Sequence, residues 1–341
     1  MRKISLDKLD LLFSEIAKSA KLYLPVDTDN GAKYDVWEDG KKLSDALNTV
    51  RSAKDFFFPQ TENLMDFKMS GKNIEIIDTR SECEDFVVFG VRACDVKSFE
   101  ILDRVFLADP VDTFYKNRRE HGVIISMACN KPAETCFCKT FGIDASEPCG
   151  DIATWKTDDA LFLDAKTEKG EKLLSALEKI TEAAKDADAE PQKALIKERL
   201  ARLPLAELET SAFGNGKTNE LFNAPEWKDL SESCLGCGTC TFVCPTCQCY
   251  DIKDFNTGNG VKRFRCWDSC MYSEFTRMAH GNNRLSQLER FRQRFMHKLV
   301  YYPTNNDGLF SCVGCGRCIN KCPINMNIVK VMKKLGGKKN G

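Results

Sequence analysis

The sequence predicts an α+β chain, an N-terminal α/β domain followed by a mainly helical domain that carries metal-ligating cysteines. Three observations point there. Over the first half, short apolar runs bounded by glycine alternate with helical patterns. The middle of the chain turns rich in Lys, Glu, Ala and Leu, and the last third holds two near-identical cysteine runs. On these shifts the chain divides into residues 1–165, an α/β domain, residues 166–232, a charged helical segment and linker, and residues 233–341, which hold both runs.

Taken in order, residues 1–24 interleave Asp7, Lys8, Asp10 and Glu15 with apolar positions, which predicts an amphipathic helix and not a signal peptide. Residues 74–77, 86–89 and 123–126 read as buried strands bounded by Gly90 or Gly122, residues 95–106 as a helix, and residues 161–164 as a further strand. Leu173, Leu174, Leu177 and Ile180 fall at helical spacing, and a second helical run covers residues 192–203. Residues 206–232, with Pro225 and scattered Gly and Asn, form a connection. Between the cysteine runs, residues 273–278 and 285–300 look helical. No stretch reaches the apolar length that crosses a bilayer. With 50 basic and 50 acidic residues, no net field recruits nucleic acid or a membrane.

The chemistry lies in the cysteines. The first run is Cys234-x2-Cys237-x2-Cys240-x3-Cys244-Pro245, and the second is Cys312-x2-Cys315-x2-Cys318-x3-Cys322-Pro323. This is the bacterial spacing for a cubane [4Fe–4S] cluster, in which three thiolates on one loop take three irons and the fourth serves the other cluster. Cluster one is therefore assigned Cys234, Cys237, Cys240 and Cys322, and cluster two Cys312, Cys315, Cys318 and Cys244. Gly236, Gly238, Gly314 and Gly316 let backbone N–H groups approach the sulfides. Zinc sites use separated Cys pairs instead, and a disulfide framework needs an oxidising compartment. Eighteen cysteines in a long charged chain fit thiolates kept reduced as ligands in a cytoplasmic setting.

The remaining cysteines form two groups. Cys94 follows one expected strand, and Cys129, Cys136 and Cys138 follow another, so the four thiols converge where neighbouring strands end. They are read as a third [4Fe–4S] site, with buried structural cysteines and a structural zinc as the alternatives. Cys149 is a reserve ligand and Cys83 is incidental. Cys247, Cys249, Cys266 and Cys270 lie between the two runs and are read as packing beside cluster one, the alternative being a further metal.

Other signals are weaker. There is no G-x-G-x-x-G after a strand and no phosphate-binding P-loop. His121, His280 and His297 are scattered, and Met271, Phe275 and Met278 read as core. Arg290, Arg292, Arg294 and Lys298 read as a solvated helix face, the alternative being a dock for an acidic partner. Arg317 and Lys321 lie inside the second run where the first has Thr239 and Val243, so cluster two is expected to hold the higher potential.

The run from Ser233 to Cys247, SCLGCGTCTFVCPTC, resembles the iron–sulfur subunit of anaerobic sulfite reductases and equally the β subunit of cytoplasmic sulfhydrogenases. Trp267-Asp268-Ser269-Cys270-Met271, Arg292-Gln293-Arg294, the Cys312–Cys318 run, Phe89-Gly90-Val91-Arg92-Ala93-Cys94-Asp95, Cys136-Phe137-Cys138, Phe56-Phe57-Phe58-Pro59-Gln60 and Asp109-Pro110 to Arg118-Arg119 extend the match over nearly the full length. Ala93 stands where proline is expected and Gln248 where histidine is common; neither is a proposed ligand. The long insert resembles the helical type of dicluster ferredoxin-like domain found in iron–sulfur subunits of some heterodisulfide and quinone-linked reductases. The resemblance implies a cytoplasmic, non-catalytic electron-transfer subunit. Such a subunit relays electrons between a flavin-containing partner that oxidises NAD(P)H and a terminal reductase or hydrogenase. Alternatives are a relay in a heterodisulfide-reductase-like flavin-based bifurcating complex, an enzyme with its own N-terminal substrate site using Cys94 or Cys138, and a zinc-stapled assembly module.

Overall fold

The structure, a computed structural model, describes residues 1–46 and 48–336, so residues 337–341 of the expected 233–341 region lie outside the described residues. Ten strands are introduced in chain order through the first two parts: β1 Arg2–Ser5, β2 Lys21–Val26, β3 Lys33–Val36, β4 Thr61–Ser70, β5 Asn73–Asp78, β6 Phe86–Arg92, β7 Gly122–Met127, β8 Ile152–Lys156, β9 Ala160–Ala165 and β10 Glu182–Ala183. Eight of them make one sheet in the order β10-β1-β9-β8-β7-β6-β2-β3. Its centre is parallel: β2 pairs with β6, β6 with β7 and β7 with β8. A parallel sheet is covered on both faces, which is why β6, Phe-Val-Val-Phe-Gly-Val-Arg, is buried along its whole length. The helix Leu9–Ala17 covers one face through Leu12, Phe13 and Ile16. The helix Ala93–Phe106 covers the other through Phe99, Leu102 and Phe106, and matches the expected 95–106 element.

Residues 1–24 are not one helix. They fold as β1, the helix and β2, because the run after Lys21 gains a parallel partner in β6 that buries Leu22 and Leu24. The helices Glu168–Ala176 and Glu190–Ala201 lie where the charged segment predicted them, and β10 ties that segment to the edge of the main sheet. Residues 206–232 are more than a connection: the helix Glu226–Glu232 buries Trp227 and Leu230.

The region holding the cysteine runs departs from the mainly helical expectation. Residues 273–278 form no helix and lead into the two-residue pair Arg277–Met278 and Gly281–Asn282, with Met278 exposed where core was expected. The 285–300 element is helical, from Gln287–Met296 onward. Between the runs lies a long hairpin, β11 Tyr250–Asn256 and β12 Gly260–Trp267. It pairs with strands from the first part of the chain in a second sheet, β11-β12-β4-β5. The expected buried strand at 74–77 is β5, the outer strand of this sheet, where Ile74 and Ile76 are each 62% exposed.

A buried charge network pins the second sheet to the first part of the chain. Glu62 of β4 accepts from Arg265 of β12 at 2.7 Å and from Arg118 at 2.6 Å, and Arg265 also pairs with Asp112. Arg265 and Glu62 are almost fully buried. Removing one member of such a group leaves an uncompensated buried charge, at a cost of about 3–5 kcal/mol. Glu62→Ala is therefore expected to lower the unfolding free energy in urea titration by that amount; a loss of less than about 1 kcal/mol would refute the network's structural role.

Candidate iron–sulfur centres

The four thiols assigned to cluster one line a single cavity. Cys234, Cys237, Cys240 and Cys322 surround it together with Met271, Phe291, Arg294, Phe295 and Met326. Gly238, at φ 73°, turns the loop into the short helix Thr239–Phe242, and Asn325, at φ 53°, turns the chain after Cys322. Donors face the sulfurs: Gln287 Nε2 lies 3.5 Å from Cys234 Sγ and the Met326 N–H 3.2 Å from Cys322 Sγ. The Thr239 hydroxyl, 3.4 Å from Cys237 Sγ, holds that thiol below its ordinary pKa. Burial pushes Cys240 up to about 11. Cys237 is exposed, so one corner of this site reaches the surface.

The thiols assigned to cluster two also meet. Cys312, Cys315 and Cys318 each feel Cys244 as an electrostatic neighbour; Cys315 is buried and the other three are half-buried. Burial raises Cys312 to about 12, opposed by Lys298. Cys240 of the first site and Cys318 of the second are neighbours, with Arg294 beside both. Burial likewise raises Cys315 and Cys318, so ligation must displace protons from these thiols, whereas Cys244, hydrogen-bonded to Cys247 and near Lys298, is held well below an ordinary thiol.

Arg294 and Lys298 overturn the solvated-face expectation. Both are buried, and neither has a carboxylate partner among the described residues. Lys298 donates to the Thr246 hydroxyl at 2.8 Å and to the Ser311 carbonyl at 3.0 Å. Burial works against its charge, yet Cys244 and Cys247 outweigh this and hold its pKa above that of an ordinary lysine. Lys54 arrives from the first part of the chain, donates to the Cys247 carbonyl at 2.9 Å and lies 3.5 Å over the Trp267 ring. Burial pulls its pKa down to about 8. Unpaired buried cations are costly unless an anion offsets them, and a cubane with four thiolates is an anion. The donor set, the cavity and these cations fit the cluster.

Arg317 behaves differently from the sequence expectation. Its guanidinium is buried and holds Asp95 in a two-point contact, with Nη2 to Oδ2 at 2.7 Å, and its Nε donates to the Thr49 carbonyl at 2.8 Å. Asp95 pairs the charge that the sequence expectation left free to raise the potential of cluster two. Lys321 is exposed.

The expected third set is brought together too. Cys94 follows the end of β6, Cys129 that of β7, and Cys129, Cys136 and Cys138 are electrostatic neighbours. Cys94 neighbours both Cys129 and Cys315. Burial lifts Cys129 to about 11 and Cys138 to about 12. The loop carrying Cys136 and Cys138 sits directly on the second cysteine run: the Phe137 N–H donates to the Gly314 carbonyl at 2.8 Å. A Cβ on Gly314 would lie 2.4 Å from the Phe137 carbonyl oxygen, and one on Gly316 2.6 Å from that of Thr135. These two glycines admit a neighbouring backbone, beyond any service to a cluster. Cys83 and Cys149 stand apart, Cys149 on another groove beside Val96 and Lys97.

The last group splits. Cys247 lies against Cys244, and Cys249 against Cys270, all near Lys298. Cys266 sits on the face of β12 opposite Arg265 and Trp267. Cys247 thus borders the second site through Cys244, while Cys270 borders the first through Cys240, as expected. Among the described residues, no three His, Cys, Asp or Glu side chains close around a single-ion point. Thiolates that take separate corners of a four-iron cube stand further apart than the ligands of one tetrahedral zinc.

The sequence pattern gives Lys54 and Asp95 no role, and it reads Arg294 and Lys298 as surface. A signal exists for the last two. They fall on the stripe of Phe291, Phe295 and Leu299 at helical spacing, so the pattern places cations at core positions.

The family described as "4Fe-4S dicluster domain" matches residues 233–326. The chain is 31% identical over 333 residues to "Sulfhydrogenase 2 subunit beta" of Pyrococcus furiosus, an alignment covering 95% of this chain and 94% of the relative. No solved structure matches. The chain belongs to the family of sulfhydrogenase β subunits, iron–sulfur proteins with a [4Fe–4S] dicluster domain.

The pairing of Arg317 generates a prediction. Lys298→Met is expected to lower the more strongly affected cluster potential by on the order of 100 mV, the effect of one buried unit charge at an effective dielectric of about 20. The charge-neutral pair Asp95→Asn with Arg317→Gln should move it far less. EPR-monitored potentiometric titration decides; equal shifts in both variants would refute the compensation.

Proposed function

We propose that this member of the sulfhydrogenase β-subunit family is an electron-relay subunit of a multisubunit oxidoreductase. It works between a flavin-containing partner that oxidises NAD(P)H and a terminal reductase or hydrogenase. In this reading Cys234, Cys237, Cys240 and Cys322 hold one [4Fe–4S] cluster, and Cys312, Cys315, Cys318 and Cys244 hold the second. Cys94, Cys129, Cys136 and Cys138 hold a third. Bound clusters supply reversible one-electron chemistry.

The chain's own residues do the rest. Thiolates fix the positions, burial excludes water, and Lys54, Arg294 and Lys298 offset the negative charge that builds up around the thiolates. The observation that carries the proposal is an unbroken adjacency of thiols. Exposed Cys237 shares a cavity with Cys240, Cys240 neighbours Cys318, Cys318 neighbours Cys244, Cys244 neighbours Cys315, and Cys315 neighbours Cys94. That series joins the surface to the ends of β6 and β7. The relative's printed name, a sulfhydrogenase subunit, supports a role inside a complex. No helix among the described residues is long and apolar enough to cross a membrane.

Two measurements test the reading. Anaerobically purified chain should contain about twelve iron and twelve acid-labile sulfide per polypeptide, falling to about eight of each in Cys94→Ser with Cys138→Ser. Eight in both would return the N-terminal thiols to the core. In the assembled complex, Cys315→Ser should suppress NAD(P)H-linked turnover while dye-linked turnover of the terminal subunit survives. Loss of both would argue against a relay role.

A further inference from the structure

Beyond the thiols lies a crevice that the relay does not use. It opens at the carboxyl ends of the three adjacent parallel strands β6, β7 and β8, and the last residue of each lines it: Arg92, Met127 and Lys156. Open parallel sheets bind ligands outside these strand ends, where loops diverge and leave a cleft. The cavity is about 290 Å³, at the lower bound of small-molecule sites, which run from roughly 300 to 1,000 Å³. It suits a compact ligand and not a dinucleotide.

Its walls are basic. Lys131 and Arg199 join Arg92 and Lys156, against two carboxylates, Asp45 and Asp158. Asp45 is engaged already, accepting from Lys156 at 2.6 Å. Arg199 gives one N–H to the Asn130 carbonyl and keeps the others for a ligand. The Asn130 side chain donates to the Lys156 carbonyl at 2.7 Å and so fixes the rim between β7 and β8. Arg92 is held from below by the carbonyls of Ala46 and Ala128, at 3.0 and 3.3 Å, so it is a fixed positive charge at the floor. Four cations against two carboxylates leave the concave wall net positive, which attracts an anion to it.

The floor is shared. Arg92 leads through Ala93 into Cys94, Asn130 follows Cys129, and Arg92 is the largest charged influence on Cys129. A ligand here stands one guanidinium away from the N-terminal thiols.

We propose that this crevice is a binding site for a compact, doubly charged oxyanion, as a free ion of the phosphate or sulfite type or as the phosphate of a mononucleotide. Arg199 and Lys131 provide the charge-assisted hydrogen bonds, and the bound anion acts electrostatically on Cys129 through Arg92.

The test is titration calorimetry on the full chain, anaerobically purified, with inorganic phosphate, sulfite and adenosine monophosphate in separate runs. Saturable binding of at least one probe is expected, weakened roughly tenfold or more by Arg199→Gln with Lys131→Gln, as charge-assisted contacts are lost. Lys197→Gln, on the same helix but outside the crevice, should leave it unchanged. Phosphate or sulfite binding as tightly as the nucleotide assigns the site to a free ion, and a tighter nucleotide assigns it to a phosphate ester; both uphold the proposal. No saturable binding, or binding that the double variant leaves intact, overturns it. Because calorimetry reads binding and not electron flow, a negative result leaves the relay reading standing.

Discussion

The joint between the N-terminal half and the second cysteine run depends on one buried ion pair, Arg317 with Asp95. Asp95 directly follows Cys94 and opens the helix behind β6, and Arg317 directly precedes Cys318. Locking these two side chains together fixes the N-terminal thiols against the second cysteine run. The Thr49 carbonyl on the same guanidinium and the Asn48 amide on the Cys315 carbonyl, at 3.0 Å, add the 48–49 loop to the joint. Breaking such a pair strands a charge at a cost of about 3–5 kcal/mol. Since it gains little over a well-packed apolar contact, its value lies in register, which two-point geometry enforces and grease does not.

The same joint explains how two architectures became one body. A parallel sheet leaves its strand ends open, and loops gather there. Here those loops carry Cys94, Cys129, Cys136 and Cys138, and the second cysteine run packs onto them. Gly314 and Gly316 remove the side chains that would hold the two backbones apart. Elsewhere β12 pairs with β4, so residues two hundred positions apart in sequence share one sheet. The cysteine-bearing region is therefore framed by the first part of the chain along two separate seams.

What the sequence made legible follows from how local each signal is. The cysteine spacing is local and dictated by the cube, so the thiols it grouped do meet, in the first cavity and around Cys244. The strands at 86–89 and 123–126 showed because parallel burial demands continuous apolar runs. The β11–β12 hairpin stayed hidden: after Tyr250-Asp251-Ile252-Lys253 the alternation breaks at Asp254, and what makes the hairpin a strand pair is its distant partner β4. Ile74 and Ile76 signalled burial, yet edge position left them in solvent. Residues 1–24 carry a helical stripe only as far as Ile16, after which pairing with β6 prevails over it.

The charges show most clearly why pattern and role diverge. Formal charge at a position says nothing about what faces it. Arg317, inside the motif, looked like the tuning cation, but Asp95 answers it. Arg294 and Lys298 looked like solvent charges, but they turn inward toward thiols with no carboxylate opposite among the described residues. A cation compensated by a carboxylate contributes geometry; an uncompensated one contributes field. On that distinction five of the buried basic residues fall into two kinds. Arg317 and Arg265 hold the parts of the fold together, while Lys54, Arg294 and Lys298 prepare a place for the negative charge that four thiolates and a cluster would bring.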